Sequence, residues 1–206
     1  MIRWLLIAVA IVACRKSPEP APAISSRSTS PSLADFAPAT LGGVAPDPVS
    51  LASPPLLGSA VRRYRLRDGR IVDVALLTNP DVPLVKAMAA RAALAPGEVR
   101  DDGDLAFKGF DVQGHTVVRA ATWSGGTTVL GRQVEPRETL EMTSEVTLLL
   151  LDRVQVTIIV QQAKDPDDAI TYLRTLDLAG IEAFARTLPP APTAVPAQDA
   201  AGPDPG

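Results

Sequence analysis

The fold turns on Glu145-Val146-Thr147-Leu148-Leu149-Leu150-Leu151-Asp152-Arg153-Val154-Gln155-Val156-Thr157-Ile158-Ile159-Val160-Gln161-Gln162. In its second half Val154, Val156, Ile158 and Val160 recur at every second position, the two-residue period of a strand with one buried face. Residues 145–151 and 154–162 are therefore read as two strands joined at Asp152-Arg153. As the most apolar pair in the chain, they are expected at the centre of the sheet.

Upstream of this pair the same alternation returns. Tyr64 and Leu66 alternate with Arg63, Arg65 and Arg67, and Val72, Val74 and Leu76 continue the pattern after Asp68-Gly69, which predicts a hairpin with a two-residue type I′ turn. Residues 105–112 and 116–123 flank Gln113-Gly114 as a second hairpin, with Gly109 expected to mark a bulge because the alternation shifts there. Residues 127–134 read as a further strand or as loop.

Between the first two hairpins, Asn79-Pro80-Asp81 ends a strand and Pro83 suits a first helical turn. Leu84, Val85, Met88 and Ala92 then share one helical face until Pro96-Gly97. After the central pair, Asp165 is expected as an N-cap, with Pro166 at the first helical position and Asp167 and Asp168 near the positive end of the helix dipole. Ile170, Leu173 and Leu176 form that helix's buried stripe. Asp177 caps a second short helix that presents Leu178, Ile181 and Phe184. The order is that of an α+β protein: an antiparallel sheet built from hairpins, with helices packed on one face.

Proline sets the boundaries. Of 20 prolines, nine lie in residues 17–58, five in 59–188 and six in 189–206. Residues 59–188 are expected to be a single α+β domain, with room for one core. Residues 14–58, rich in Pro, Ala and Ser, read as a disordered tether, and 189–206 as a disordered tail. Over 15–58 a flexible chain spans on the order of 35–40 Å. The formal net charge of −3 excludes a strongly basic polyanion binder, so no nucleic-acid partner is expected.

At the start, Arg3 precedes an apolar run from Trp4 to Ala13, followed by Cys14, Arg15 and Lys16. A run this short suits a signal peptide of residues 1–13 and falls short of the ~20 residues of a membrane-spanning helix. Ile11-Val12-Ala13-Cys14 resembles the lipobox of bacterial lipoproteins. The resemblance implies cleavage by signal peptidase II, a diacylglyceryl group on the Cys14 thiol and acylation of its amino group. Several acyl chains, at about 0.8 kcal/mol per buried methylene, hold a protein durably on a membrane. The other reading of Cys14 is the last residue of an ordinary signal peptide or an uncleaved anchor. Cys14 is the chain's single cysteine, so no intrachain disulfide forms. Similarity to enterobacterial lipoproteins, with Arg15 where a retention signal would be Asp, implies the outer membrane, facing the periplasm.

The domain itself resembles a set of small, uncharacterised bacterial envelope proteins. The similarity lies in Tyr64-Arg65-Leu66 through Leu76, Asp81-Val82, Phe110-Asp111-Val112-Gln113-Gly114-His115, Ser144-Glu145-Val146-Thr147-Leu148, Asp152-Arg153-Val154, and Leu176-Asp177-Leu178-Ala179-Gly180-Ile181-Glu182. It implies a fold and brings no activity with it.

Catalytic and metal signals are sparse. His115, the single histidine, follows a hairpin turn. Trp123-Ser124-Gly125-Gly126 lacks the leading glycine and following helix of a nucleophile elbow. With Cys14 lipidated, zinc would have His115 alone. Asp101, Asp102 and Asp104, with Glu98 nearby, read as a solvated turn without calcium-loop spacing, and Asp165, Asp167 and Asp168 as capping residues. No metal or cofactor is expected.

The most distinctive surface signal is Arg62, Arg63, Arg65, Arg67 and Arg70, which read either as a solvated face paired with Asp68 and Asp73 or as a docking surface. An anionic partner there would be lipid headgroups, lipopolysaccharide or an acidic protein. These readings together lead to the expectation of a lipid-anchored, non-catalytic interaction module of the cell envelope. A carrier with an apolar pocket between helix and sheet, and an enzyme using carboxylates and His115, stand as second and third readings.

Overall fold

A computed structural model describes residues 32–48, 59–78, 80–125, 128–129, 132–133 and 137–190. Its elements in chain order are α1 (Leu33–Phe36), β1 (Ser59–Arg65), β2 (Ile71–Thr78), α2 (Val82–Arg91), β3 (Val99–Asp101), β4 (Leu105–Val112), β5 (His115–Ser124), β6 (Thr128–Val129), β7 (Arg132–Gln133), β8 (Glu141–Leu150), β9 (Val154–Gln161), α3 (Asp168–Leu173) and α4 (Leu178–Thr187). Seven strands form one antiparallel sheet in the order β1-β2-β9-β8-β5-β4-β3, while β6 and β7 pair separately. The fold is α+β, and β8 and β9 lie near the middle of the sheet, as their apolar composition dictates. Signal peptide, lipobox residues Ile11, Val12 and Ala13, Cys14 and the tail beyond residue 190 lie outside the described residues.

Register sorts the side chains into two faces. Ser144, Val146, Leu148 and Leu150 of β8 stand opposite Val160, Ile158, Val156 and Val154 of β9, which in turn oppose Val72, Val74, Leu76 and Thr78 of β2. This is the buried face. Helix α3 covers it with Ala169, Ile170 and Leu173, and α4 with Leu178, Ile181 and Ala185, all nearly free of solvent. Removing each large apolar side chain from water contributes about 1.5–3 kcal/mol. As expected, Asp177 caps α4, accepting from the Gly180 N–H at 2.9 Å.

Five local expectations are corrected. The turn of the β1–β2 hairpin spans Arg67, Asp68 and Gly69, and Gly69 alone is left-handed (φ 93°), the three-residue loop with a glycine bulge in place of a type I′ turn. Leu151 and Asp152, rather than Asp152-Arg153, take the left-handed backbone between β8 and β9. No bulge occurs at Gly109, where the β4–β5 register runs unbroken. The chain after α2 crosses there instead, and a methyl group on Gly109 would overlap the Ala95 carbonyl and lie 2.9 Å from that of Leu94. Helix α3 begins at Asp168, not at Pro166, because the Asp168 carboxylate turns back to accept from the N–H groups of Lys164 (2.9 Å) and Asp165 (3.3 Å). Fully buried Ser144 completes that helix start, accepting from Ala169 N–H and donating to the Pro166 carbonyl.

The fifth correction concerns the tether. Residues 32–48 were expected to lack structure, but Leu33, Ala37 and Leu41 are core residues, and Phe36 packs against Phe184 of α4 with ring centroids 5.8 Å apart. Arg62 fastens this segment, donating to the carbonyls of Ala37 and Pro38 at 2.7 Å and of Ala34 at 2.9 Å, and Tyr64 donates to Pro38. Proline content hid three spaced apolar residues that become useful only when β1 lies beside them.

Candidate functional site

Helix α2 departs from the expected arrangement. It does not join α1, α3 and α4 on the buried face, and its apolar residues are not sealed, with Leu84 56% and Met88 58% exposed. The cause lies in what the sheet offers opposite it. The second face carries Thr116, Val118 and Ala120 on β5, Glu145, Thr147 and Leu149 on β8, and Gln155 and Thr157 on β9. Mostly short or polar side chains cannot fill the space beneath a helix, so a gap remains. It is a cleft of about 760 Å³, walled by Val85, Met88, Ala89, Ala92 and Leu94 and floored by Phe107 and the strand residues just named. That volume lies in the range of small-molecule sites.

Local chemistry holds the wall in place. Asp81 caps α2 by accepting from Leu84 N–H at 3.0 Å, and Pro lies in its first turn. Lys86 pairs with Asp152 across the mouth, tying the helix to the left-handed loop after β8. Beyond the helix, Gly97 N–H donates to the Gly109 carbonyl and Gly109 N–H to that of Glu98, both at 2.9 Å. Arg100 lies over the Phe107 ring at 4.4 Å.

Polar groups on the floor mostly satisfy one another. Thr147 and Thr157 share a hydrogen bond of 3.1 Å, and Gln155 donates to Thr157 at 3.0 Å. Glu145 is different. It stands between Ala120 of β5 and Ile159 of β9, and burial pushes its carboxyl above the usual range, with no charge or hydrogen bond from the described residues opposing it. A carboxylate so placed is destabilising at neutral pH, since its ionised form is better solvated in the unfolded chain.

The five arginines singled out in the sequence do not form an open row. Arg63 is bidentate to Asp73 at 2.7 and 2.8 Å, Arg65 meets Asp47 at 3.1 Å, and Arg70 pairs with Asp68 and, at 2.7 Å, with Asp168. Arg62 points to the opposite face and clasps the α1 segment. Arg67 sits exposed in the hairpin turn, without an ion pair among the described residues. Mutual repulsion, which would have called for an anionic partner, is relieved within the domain. Asp73 and Asp68 are the acids expected from the sequence; Asp47, Asp168 and the carbonyls that Arg62 meets come from segment 32–48 and the α3 start, which are distant in sequence and could not be read from it.

Other candidates are likewise engaged. Asp101 accepts a bidentate pair from Arg137, which holds its carboxyl down at about 2, and Arg137 in turn lies 4.3 Å from the Trp123 ring. Asp102 pairs with Arg100, and Glu98 accepts from Ala95 N–H. Asp104 is exposed, and Asp165 accepts from Asp167 N–H at 2.7 Å. His115 lies 4.0 Å from Glu182 of α4 at one end of β5, and Ser124 is at the other end, about 30 Å away along the strand. Among the described residues no three His, Cys, Asp or Glu side chains gather closely enough to hold a metal ion, and no helix is long and apolar enough to cross a membrane. Asp167, read as a capping acid, makes no cap. It receives Arg119 at 2.7 Å and Lys108 at 2.9 Å.

Sequence reasoning offers a pocket between helix and sheet as its second reading, but does not single out α2 or Glu145 as its lining. The available signal was a lone acid within an apolar strand, aligned with threonines at two-residue spacing. Comparison with known proteins finds no matching family model, curated protein or solved structure. The likeness to envelope proteins thus rests on the residues quoted for it.

Proposed function

We propose that the chain is a membrane-tethered, non-catalytic binding domain whose α2 cleft receives a small, largely apolar ligand in the cell envelope. The observation that carries this reading is the open 760 Å³ space between an apolar helix face and a sheet floor of mostly short or polar side chains. Burying Leu94, Met88, Val85 and Phe107 against a ligand gains about 25 cal/mol for each Å² of apolar surface removed from water. A fold that needed only stability would have filled the space. The arginine docking surface loses support because those side chains serve internal contacts.

The test is to close the cleft. Ala120 lies in the floor, opposite Phe107 and Glu145 on the neighbouring strands. The purified protein is expected to bind the neutral fluorophore N-phenyl-1-naphthylamine saturably at one site, and Ala120→Trp to abolish binding while melting within about 3 °C of the parent, as a change of ~1 kcal/mol allows. Non-saturable binding, or equal binding by the variant, would refute the cleft as the site.

The tether reading is supported by Ile11-Val12-Ala13-Cys14. In the native host, Cys14→Ser is expected to move the protein from the detergent-rich to the aqueous phase in Triton X-114 partitioning. Unchanged partitioning removes the lipid anchor.

A further inference from the structure

We infer that the cleft is selective for an amphiphile with a cationic amine head, seated on Glu145; the inference rests on the cleft being a ligand site. Among the described residues three charged side chains line the cleft, and two of them, Lys86 and Asp152, neutralise each other at its mouth. The third, Glu145, leaves the described lining one negative charge in excess. Thr147, Thr157 and Gln155 hydrogen-bond among themselves, and among the described residues none of the three is bonded to Glu145.

An apolar body and a cation together complete what the site lacks. The alkyl or aromatic portion would lie along Val85, Met88, Ala89, Ala92 and Leu94. The ammonium would then meet the half-buried carboxylate between Ala120 and Ile159, where a charge-assisted hydrogen bond is about twice as strong as a neutral one. An anionic head would face the same carboxylate at a penalty. A neutral hydroxyl head donates a hydrogen bond to the carboxylate without neutralising it and so gains less than an ammonium, which separates charge selection from simple apolar binding.

Selectivity is read by displacing N-phenyl-1-naphthylamine from the full chain at pH 7.5 with dodecylamine, 1-dodecanol and dodecanoate, all below their aggregation concentrations. Butylamine supplies the head without the body. Dodecylamine should bind about tenfold more tightly than dodecanol, equivalent to 1.4 kcal/mol, and dodecanoate more weakly than either. Glu145→Gln should erase the amine preference, weakening dodecylamine about tenfold relative to dodecanol. The variant should melt no lower than the parent, so that unfolding cannot account for the loss. Equal affinity for amine and alcohol, a preference that survives in Glu145→Gln, tightest binding of dodecanoate, or displacement by butylamine at the same concentration as by dodecylamine would each overturn the assignment while leaving the cleft a site. Failure of the fluorophore itself to bind overturns the cleft and the assignment together.

Discussion

Asp167→Ala is expected to be the most damaging single change to charge in the domain, costing about 3 kcal/mol and roughly 10 °C of melting temperature. Arg119 is 5% exposed, on the sheet face under α3, and its guanidinium donates to Asp167 twice, at 2.7 and 3.1 Å, and to the Ala106 carbonyl. Lys108 meets the second Asp167 oxygen at 2.9 Å. Removing the carboxylate leaves two cations together, one of them cut off from water, and an unpaired buried charge costs far more than an intact pair contributes. Arg119→Met in the Asp167→Ala background should recover most of the loss. If Asp167→Ala alone unfolds in urea within 1 kcal/mol of the parent, the pair is solvated and the expectation is wrong.

The same residue sets an acid dependence. Burial alone would raise the Asp167 carboxyl, but hydrogen bonds and charge from Lys108 and Arg119 outweigh it and hold the group below its ordinary value. A depressed folded value means that the unfolded chain binds the proton first. The stabilisation is therefore present above the ordinary carboxylate range and fades as pH falls through the folded value. Asp68 and Asp101, each held near 2 chiefly by an arginine hydrogen bond, act in the same direction. Stability should decline from about pH 5 downward, and less steeply in Asp167→Ala.

Gly109→Ala is expected to cost roughly 2–3 kcal/mol, because an added methyl overlaps the backbone of Ala95 and Leu94. Its sign is the informative quantity. Gly109 is not among the left-handed glycines, so with open space above it alanine would stabilise by about 0.4–1 kcal/mol through the unfolded state. A fall in the urea midpoint at constant slope supports the close approach, and a rise rejects it. Since Ala92, Ala93, Leu94 and Ala95 also line the cleft, N-phenyl-1-naphthylamine should bind more weakly to this variant even where it remains folded.

Residues with a strong local period were legible in the chain: the alternation in β2 and β9, Gln113-Gly114 between β4 and β5 with both residues left-handed, and Asp177 at the start of α4. Their conformation depends on neighbours a few positions away, which sequence displays directly. Segment 32–48 was misread because its few apolar residues gain value only against β1 and α4. The arginine pairs with Asp73 and Asp68 were legible as neighbours in the chain, whereas Asp47 and Asp168, which complete two further pairs, arrive from remote segments. The α2 stripe was seen, but not what faces it.

The sequence by itself thus determined the strand-rich α+β class, the hairpin pairing and the helix starts at Asp81 and Asp177, all products of short-range periodicity and backbone preference. Tertiary structure alone decided that α2 stands over a floor of mostly short or polar side chains that includes Glu145. Whether an apolar helix face meets a core or a cavity depends on the volume of side chains brought opposite it by sheet register, and that sum is made only when the chain has folded.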